Sequence, residues 1–399
     1  MSARTPPLIA HVIHRLAVGG LENGLVNLIN RLPAERFRHA IVCMTDATDF
    51  ARRIARPDVR IVELHKTPGH SLAIQRQFID VFRELQPAIV HSRNLGALEA
   101  QLAAALARVP IRIHGEHGWD VSDPDGTSWR YALLRRLHAP LVHRFIALSG
   151  HIERYLHERV GIRSDRIDRI CNGVDCDRFR PDVASRARFP HEPFRDPNLV
   201  VVGTVGRLEP IKDQLNLAQA FVLARQRHPE VAQQLRLAIV GSGSLRSDIE
   251  QVIAGGRAAA MTWLAGERGD VADLLPAFDI FALPSRAEGI SNTILEAMAC
   301  GVPVVATDVG GNAELVAVAQ SGDLVPPRNP AALADSIARL ARDKALRMRM
   351  GAAARASAVT QFSLDEMVRR YALVYDGELK RRPDLAVAPA MTAQEATVE

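Results

Sequence analysis

Two glutamates, Glu288 and Glu296, stand at the ends of a short polar run in the segment EGISNTILEAMACG, which spans residues 288–301. Either Ser291 or Asn292 can cap a helix through NTILEAMAC, and the final glycine can end it. Glu288 then precedes the helix at its positive end, and Glu296 lies one turn into it. The unpaired N–H groups of such a helix start suit a phosphate. The two carboxylates can accept hydrogen bonds from sugar hydroxyls on one side of that phosphate and from a ribose on the other.

Two cations, Arg207 and Lys212, bracket a turn in GRLEPIKDQ, which follows the predicted strand 199–206. At the carboxyl end of a central strand they could hold a diphosphate, the arginine through its planar fork and the lysine as a point charge. The alternative is a pair of solvated surface charges. Each glutamate alone could also be an ordinary helix charge, but both glutamates together with two cations favour a ligand site. Glu314, in DVGGNAELV, is open to two interpretations, a ligand contact or a helix start.

A glycine pair, Gly19 and Gly20, follows the predicted strand 8–14 and precedes a helix. Glycine there lets backbone N–H groups approach an anion at the helix N-terminus. The pattern is neither the dinucleotide fingerprint nor a Walker loop, and a plain tight turn explains it equally well.

The segment HGEHGWD, residues 114–120, follows another predicted strand and offers His117 as a hydrogen-bonding group for a sugar or an acceptor. His91, His114 and Glu116 could be combined with it into a metal site. Because their spacing is not that of a metal motif, an ordinary polar loop is favoured and no bound metal is predicted.

The elements that must position these residues alternate between short apolar runs and amphipathic helical patterns. Many of the runs are apolar on both parities, as expected of parallel strands covered on both faces. The alternation predicts doubly wound α/β sheets in two Rossmann-like domains that face a cleft, where the carboxyl ends of the strands meet the ligand. The predicted strands are 8–14, 39–44, 59–64, 88–91, 111–115, 144–149, 168–171, 199–206, 235–241, 261–266, 279–285 and 302–307.

The predicted domain boundaries follow a segment rich in proline and charge. Residues 1–180 form an N-terminal domain on the acceptor side, 181–198 a linker, and 199–360 a nucleotide-sugar-binding domain. A C-terminal helix, 361–380, is expected to pack back on the N-terminal domain. The last residues, 381–399, lack periodicity and are predicted to be a disordered tail.

Composition sets limits on the class of protein. No run approaches the ~20 apolar residues that a membrane span needs, and the four scattered cysteines are typical of reduced thiols, so a cytoplasmic protein is expected. Residues 1–185 hold 26 Lys and Arg against 20 Asp and Glu. This surplus could serve a nucleic acid or an anionic membrane surface, or it could reflect only an arginine-rich composition.

One predicted helix, WRYALLRRLHAPLVHRF at 129–145, is the best candidate for peripheral contact with the inner face of a membrane. Its basic residues stand among apolar ones. The alternative, a buried helix with a solvated basic face, is favoured by the frequency of ordinary amphipathic helices. The basic residues are Arg130, Arg135, Arg136 and Arg144.

Together, GRLEPIK, NGVD and PSRAEGISNTILEAMACGVPVVATDVGGNAEL resemble the retaining GT-B glycosyltransferases of the "glycosyl transferases group 1" family. The combination of VGGLENGLVNLINRL with HGEHGWD is similar to the sugar transferases of exopolysaccharide clusters linked to PEP-CTERM protein sorting. The resemblance implies a nucleotide-diphosphate sugar as donor, a glycan or lipid-linked acceptor, no bound metal or other cofactor, and no nucleic acid partner.

The resemblance also implies roles for individual residues. Glu288 and His117 would act at the reacting centre, and Glu22, Glu116 and Trp119 would be candidates on the acceptor side. The residues expected to bind the donor are Gly19, Gly20, Arg207, Lys212, Gly289, Ile290, Ser291, Asn292, Thr293 and Glu296. Asp213 stands where family members often have glycine, and Ile290 where they often have an aromatic residue, so the donor sugar stays open.

The predicted function is therefore the transfer of a sugar from a nucleotide-diphosphate sugar to an acceptor hydroxyl, with retention of configuration, in exopolysaccharide synthesis. A nucleotide-sugar epimerase of the same fold is the near alternative, since fold alone does not determine function. A basic binding protein without chemistry is the alternative from another class.

Overall fold

The computed structural model describes residues 5–67, 72–118, 123 and 126–382. The chain forms two compact units. The first comprises the described parts of Met1–Ala147, Glu153–Ile170 and Val368–Glu399, and the second comprises Leu148–Ile152 and Cys171–Met367.

The first unit is a seven-stranded sheet in the order β3-β2-β1-β4-β5-β6-β7, with every pairing parallel. Its strands are β1 (Leu8–Ile13), β2 (Arg38–Cys43), β3 (Arg60–Glu63), β4 (Ile89–Arg93), β5 (Ile111–Glu116), β6 (Arg144–Ala147) and β7 (Ile167–Arg169). The helices between them are α1 (Gly20–Arg31), α2 (Leu72–Leu85), α3 (Asn94–Leu98), α4 (Ala100–Leu106), α5 (Trp129–His138) and α6 (Gly150–Arg154), of which α6 is assigned to the second unit up to Ile152 and to the first from Glu153.

Strand β1 shows why this sheet reads as continuous apolar sequence. Ala10 and Val12 pack into a core with Phe78 of α2, whereas Ile13 packs into a separate core with Leu25 of α1. Both faces of the strand are therefore covered by helices, as in other parallel sheets.

The second unit is a six-stranded parallel sheet in the order β10-β9-β8-β11-β12-β13. Its strands are β8 (Val200–Val205), β9 (Leu235–Val240), β10 (Thr262–Gly266), β11 (Ile280–Leu283), β12 (Val304–Thr307) and β13 (Gly322–Val325). The remaining helices are α7 (Gln214–Arg227), α8 (Pro229–Ala232), α9 (Arg246–Gly255), α10 (Val271–Leu274), α11 (Asn292–Ala299), α12 (Asn312–Ala319), α13 (Pro330–Arg342), α14 (Lys344–Gln361) and α15 (Leu364–Lys380).

The predicted fold class, two Rossmann-like α/β domains, is confirmed by these sheets. In each one the order reverses beside the first strand, between β1 and β4 and between β8 and β11, and ligands of such folds bind at this switch point. Every predicted strand is present in the structure. Sequence reasoning missed β13, because its GDLV run is short and half-polar.

Segment 181–198, predicted as a linker, lies inside the second unit instead. Phe189 and Phe194 are buried and stack with ring centroids 5.6 Å apart, and Arg186 bonds the carboxylate of Asp279. The sequence did not indicate this packing, because the two phenylalanines are isolated in a segment without periodic apolar residues. The predicted tail, 381–399, lies outside the described residues from 383 onward.

The C-terminal helix α15 divides between the units at Val368. Within the first unit, Tyr375 is fully buried, its hydroxyl lies 2.9 Å from Nδ1 of His91, and its ring meets the edge of Phe37. The end of the chain therefore completes the core of the first unit.

Gly203, in the middle of β8, provides a test of the second core. A Cβ added there would lie 2.1 Å from a ring carbon of Phe278. We expect Gly203→Ala to destabilise the second unit by about 2 kcal/mol, since overpacking of a dense core costs ~1–3 kcal/mol. Urea unfolding measures this change. Gly255→Ala is the matched control, because no atom lies within 4 Å of its added Cβ. Equal midpoints for the two variants would contradict the packing described here.

Candidate active site

The loops that follow β8 and β11 meet at the switch point of the second sheet. β11 pairs with β8 through Ile280 and Val202, which places the carboxyl ends of both strands side by side. From these loops, Nζ of Lys212 and Oε1 of Glu288 approach to 2.6 Å. The Ser285 hydroxyl donates a second hydrogen bond to the same oxygen, at 2.7 Å. The Glu288 side chain is only 7% exposed, so its charge is compensated mainly by Lys212.

The loop of Glu288 rests directly on the backbone of the loop after β12. A Cβ on Gly310 would lie 1.8 Å from the carbonyl oxygen of Glu288, and one on Gly311 would lie 2.4 Å from that of Gly289. Gly311 N–H also donates to the Gly289 carbonyl at 2.9 Å. The glycine pair of DVGGN is therefore required by close backbone approach, and it holds Glu288 in place.

Helix α11 begins as the sequence indicates. Ser291 is its N-cap, and its hydroxyl accepts a hydrogen bond from Ile294 N–H. Asn292 receives a bond of 2.8 Å from the side chain of Asn172, which belongs to the NGVD motif. Ile290 is buried and packs beside Gly311.

Glu296 lies one turn into α11 and is half-buried. Desolvation raises the pKa of its carboxyl to about 7, and the positive charge of Arg178 opposes this rise. Its side chain makes no hydrogen bond or ion pair with the rest of the described chain. Glu296 therefore offers a poorly solvated carboxyl group that can accept hydrogen bonds from a diol.

Arg207 and Asp213 frame the loop after β8. The Arg207 side chain is exposed and has no ion pair within the described ranges, whereas Lys212 is held by Glu288. The structure thus does not bring Arg207 into the pair that Lys212 forms. Asp213 adopts φ 50° and ψ 39°. Glycine adopts this left-handed conformation without strain, and Asp is among the few other residues that tolerate it.

In the first unit, Gly19 is the N-cap of α1 and Gly20 its first residue. A Cβ on Gly19 would lie 2.1 Å from Oε2 of Glu22, so the Glu22 carboxylate folds back over the helix start. Burial raises the pKa of Glu22, and its own backbone N–H and the charge of Arg93 oppose the rise. An anion approaching this helix N-terminus would therefore compete with Glu22.

His117, at the end of β5, is a neutral imidazole. Burial and the nearby Arg93 charge lower its pKa to about 3. Its backbone N–H donates to Oδ1 of Asn94 at 2.7 Å, and its ring Nε2 is buried without a hydrogen-bond partner. Sequence reasoning missed Asn94, whose φ of 60° lets its side chain reach the β5 loop. His117 retains one unsatisfied nitrogen that can bond a ligand hydroxyl.

Glu116 does not fit its predicted role on the acceptor side. It is 2% exposed, and Arg135 of α5 bonds both of its oxygens, at 2.5 and 3.1 Å, while His114 lies 3.2 Å away. Arg135 and His114 lower its pKa to about 2 although burial acts in the opposite direction. Glu116 is a buried structural carboxylate that anchors α5. Trp119, another acceptor-side candidate, lies outside the described residues.

Glu314 lies in the first turn of α12, as one of its two interpretations predicted, and it also has a structural partner. Its carboxylate accepts hydrogen bonds from the backbone N–H groups of Gly150 and His151, at 2.9 and 3.2 Å. These N–H groups begin α6, so Glu314 caps that helix. Within the described ranges, no cluster of three His, Cys, Asp or Glu side chains could hold a metal ion.

Two family models match the chain, "Glycosyl transferases group 1" over residues 200–343 and "Glycosyltransferase Family 4" over residues 18–178. A UDP-Gal:alpha-D-GlcNAc-diphosphoundecaprenol alpha-1,3-galactosyltransferase of Escherichia coli is 26% identical over 85% of this chain and 89% of that protein. A GDP-mannose-dependent alpha-(1-6)-phosphatidylinositol monomannoside mannosyltransferase of Mycobacterium tuberculosis is 30% identical over 89% of this chain and 94% of that protein. A solved glycosyltransferase from Rickettsia africae superposes with a TM-score of 0.79 at 20% identity, covering 94% of this chain and all of that one.

The raised pKa of Glu296 leads to a prediction about stability. A carboxyl group whose pKa is higher in the folded than in the unfolded state favours folding only while protonated, so stability falls as pH rises from about 4.5 to about 7. At pH 8 we therefore expect Glu296→Gln to stabilise the ligand-free protein by on the order of 2 kcal/mol, and at pH 4 to change little. Urea unfolding at both pH values measures the difference. A Glu250→Gln variant on the exposed face of α9 serves as control, and destabilisation of Glu296→Gln at pH 8 would contradict the assignment.

Proposed function

The chain belongs to the glycosyl transferases group 1 family and is a glycosyltransferase, and from this premise we propose that it transfers a sugar from a nucleoside-diphosphate sugar to a hydroxyl of a lipid-linked or glycan acceptor, with retention of configuration. The observation that carries the proposal is the 2.6 Å pair of Lys212 and Glu288 at the switch point of the second sheet, just before the N-terminus of α11. A cation, a carboxylate and free helix N–H groups suit the phosphates and sugar of one donor.

The proposed roles follow from these contacts. A donor diphosphate competes with Glu288 for Lys212 and also draws in the exposed Arg207. Glu288, once released, accepts hydrogen bonds from the transferred sugar. When the bond from the sugar to the diphosphate breaks, its electron pair remains with the diphosphate, and the two cations stabilise that charge. The backbone of residues 289–293 contacts the phosphate and sugar, and Glu296 accepts from the ribose hydroxyls.

For the first unit we keep the donor contact of Gly19 and Gly20 and the sugar contact of His117 as proposals. The neutral imidazole with a free nitrogen supports the role of His117, because such a group hydrogen-bonds a hydroxyl without adding charge. Glu22 remains a candidate on the acceptor side, whereas Glu116 is withdrawn.

The acceptor is proposed by analogy with the relatives. The Escherichia coli relative is named for a diphosphoundecaprenol acceptor and the Mycobacterium tuberculosis relative for a phosphatidylinositol mannoside, so both names specify lipid-linked glycans. Together with the resemblance of VGGLENGLVNLINRL and HGEHGWD, these names support a place in exopolysaccharide synthesis. The matched proteins are named as transferases, which does not favour the epimerase alternative and speaks against a binding protein without chemistry.

The exposed residues of helix α5 support peripheral contact with a membrane, although only part of its predicted basic set is exposed. The helix ends at His138, and its Arg135 is buried against Glu116. Trp129, Leu133 and Leu137 are 67%, 44% and 66% exposed at intervals of four residues, and Arg130 and Arg136 are exposed beside them. None of the described helices is long and apolar enough to cross a bilayer. A solvent-facing row of Trp and Leu suits the interface of a lipid bilayer.

The donor site can be tested with UDP-, GDP- and ADP-sugars. We expect one base to raise the melting temperature, because a ligand that binds only the folded state stabilises it in proportion to the logarithm of its concentration. With that donor, Glu288→Gln should bind within about threefold of wild type and lose about 100-fold in turnover, about 2.7 kcal/mol of transition-state stabilisation. Glu296→Ala should weaken binding about tenfold.

The control for this experiment is Glu250→Gln, which removes an exposed carboxylate of α9 far along the chain from the site loops. Absence of stabilisation by all three donor classes would refute the proposed donor site. Turnover of Glu288→Gln equal to that of the control would refute the role of Glu288 at the reacting centre.

The membrane contact can be tested separately by co-sedimentation with vesicles. The triple variant Trp129→Ser, Leu133→Ser, Leu137→Ser should lose about 100-fold in partitioning to vesicles of anionic phospholipid, about 2.7 kcal/mol, since burial of each large apolar side chain contributes ~1.5–3 kcal/mol at most. Met348→Ser is the control, as Met348 is 67% exposed on α14. Equal partitioning of both variants would rule out α5 as the contact.

A further inference from the structure

We propose that Asp213 and Arg286 form a positioning pair that sets the geometry of Lys212 and Glu288, an inference that rests on the function proposed for that site. In this proposal neither Asp213 nor Arg286 contacts the donor sugar or its diphosphate. They act through the two loops, by fixing where the lysine of one meets the glutamate of the other.

The side chain of Asp213 does not cap the helix that it precedes. Asp213 occupies the N-cap of α7, where an aspartate usually accepts hydrogen bonds from the first N–H groups of the helix, but it makes no such bond. Both of its oxygens instead accept from Arg286, Oδ2 from Nε at 2.9 Å and Oδ1 from Nη2 at 3.0 Å. This bidentate geometry fixes the orientation of both side chains.

Three consecutive residues of the first loop contact the second loop. The carbonyl oxygen of Ile211 accepts from Arg286 N–H at 2.8 Å, Lys212 pairs with Glu288, and Asp213 pairs with Arg286. The structural links at 211 and 213 therefore flank the functional contact at 212. Because both flanking links converge on Arg286, a shift of one loop against the other would break them together with the contact of Lys212.

Burial makes the pair strong enough for this role. The Asp213 side chain is 4% exposed and that of Arg286 is 37% exposed. The hydrogen bonds and charge of Asp213 raise the pKa of Arg286. A buried carboxylate without its partner is strongly unfavourable, so the loop keeps Asp213 against Arg286.

The choice of residue at position 213 separates two effects. Glycine adopts the left-handed conformation at no steric cost but offers no link to the second loop, whereas aspartate accepts some strain and gains the link. Asp213→Gly therefore preserves the backbone conformation and removes only the pair. Asp213→Asn retains the size of the side chain and removes its charge.

The first test measures the coupling between Lys212 and Glu288 by unfolding and needs no substrate. Urea midpoints of the second unit are measured for wild type, Lys212→Met, Glu288→Gln and the double variant, once in the natural background and once with Asp213→Gly. The coupling is the difference between the midpoint shift of the double variant and the sum of the two single shifts. If Asp213 positions the pair, this difference in the Asp213→Gly background falls to less than half of its value in the natural background. Unchanged coupling would overturn the proposal, even if the protein proved to act on no nucleotide sugar.

The second test uses the donor that stabilises the wild-type protein, with turnover and binding measured separately. Asp213→Gly, Asp213→Asn and Arg286→Gln should each lose about 10-fold or more in kcat, while the affinity for the nucleoside without phosphates, which does not involve Lys212, changes by less than about threefold. The double variant Asp213→Asn, Arg286→Gln should be no slower than either single variant. Losses that multiply in the double variant, or a full kcat in Asp213→Gly, would overturn the pair.

Arg339→Gln is the matched control for the second test, because Arg339 of α13 forms an ion pair with Asp323 of β13 at 2.5 Å in the same unit. It removes a guanidinium and an ion pair away from the loops after β8 and β11, and we expect wild-type kcat. Activity of the wild type without sensitivity to the pair refutes only the positioning role. Absence of donor binding by the wild type refutes the proposed function, and the unfolding test then still decides the pair.

Discussion

The parallel pairing of β8 with β11 is the constraint on which the candidate active site depends. These strands are separated by about 75 residues of sequence, and yet they are neighbours at the point where the strand order of the sheet reverses. Their carboxyl ends therefore deliver two loops to one place, one with a lysine and the other with a glutamate. The strand pairing brings the lysine and the glutamate together. The hydroxyl of Ser285 and the N-cap of α11 then stabilise the loop that carries the glutamate.

Close backbone approach is the second feature that supports the site. The loops after β8, β9, β11 and β12 rest on one another at glycines where any Cβ would collide with a carbonyl oxygen. Gly241 lies against the carbonyl of Gly206, Gly243 against that of Leu208, and Gly310 against that of Glu288. The glycine-rich turns of this chain are therefore close contacts between loops. They restrict backbone movement of the two loops that carry the lysine and the glutamate.

The buried polar groups of the two units serve different ends. In the first unit Glu116 is saturated by Arg135 and His114 and fixes a helix, whereas His117, one residue later, keeps a nitrogen without a partner. In the second unit the Glu314 carboxylate caps a helix, while the Glu296 side chain makes no hydrogen bond or ion pair within the described chain. A polar group that is satisfied by its own protein stabilises the fold, and one that is left unsatisfied beside a strand end or helix start is available for a ligand.

The sequence by itself determined the parallel α/β class, the positions of twelve strands and the residue types at the switch points, because apolar period, glycine turns and helix caps are local signals. It also offered Ser291 or Asn292 as the helix cap, of which the structure has Ser291, and it pointed to the glutamates on either side. Only the tertiary structure decided which polar side chains are paired with other residues of the chain. It paired Asp213 with Arg286 and Glu116 with Arg135, placed 181–198 inside the second unit and left three large apolar side chains of α5 exposed. These outcomes depend on partners distant in sequence, and no local pattern specifies which long-range partner will compensate a given charge or cover a given side chain.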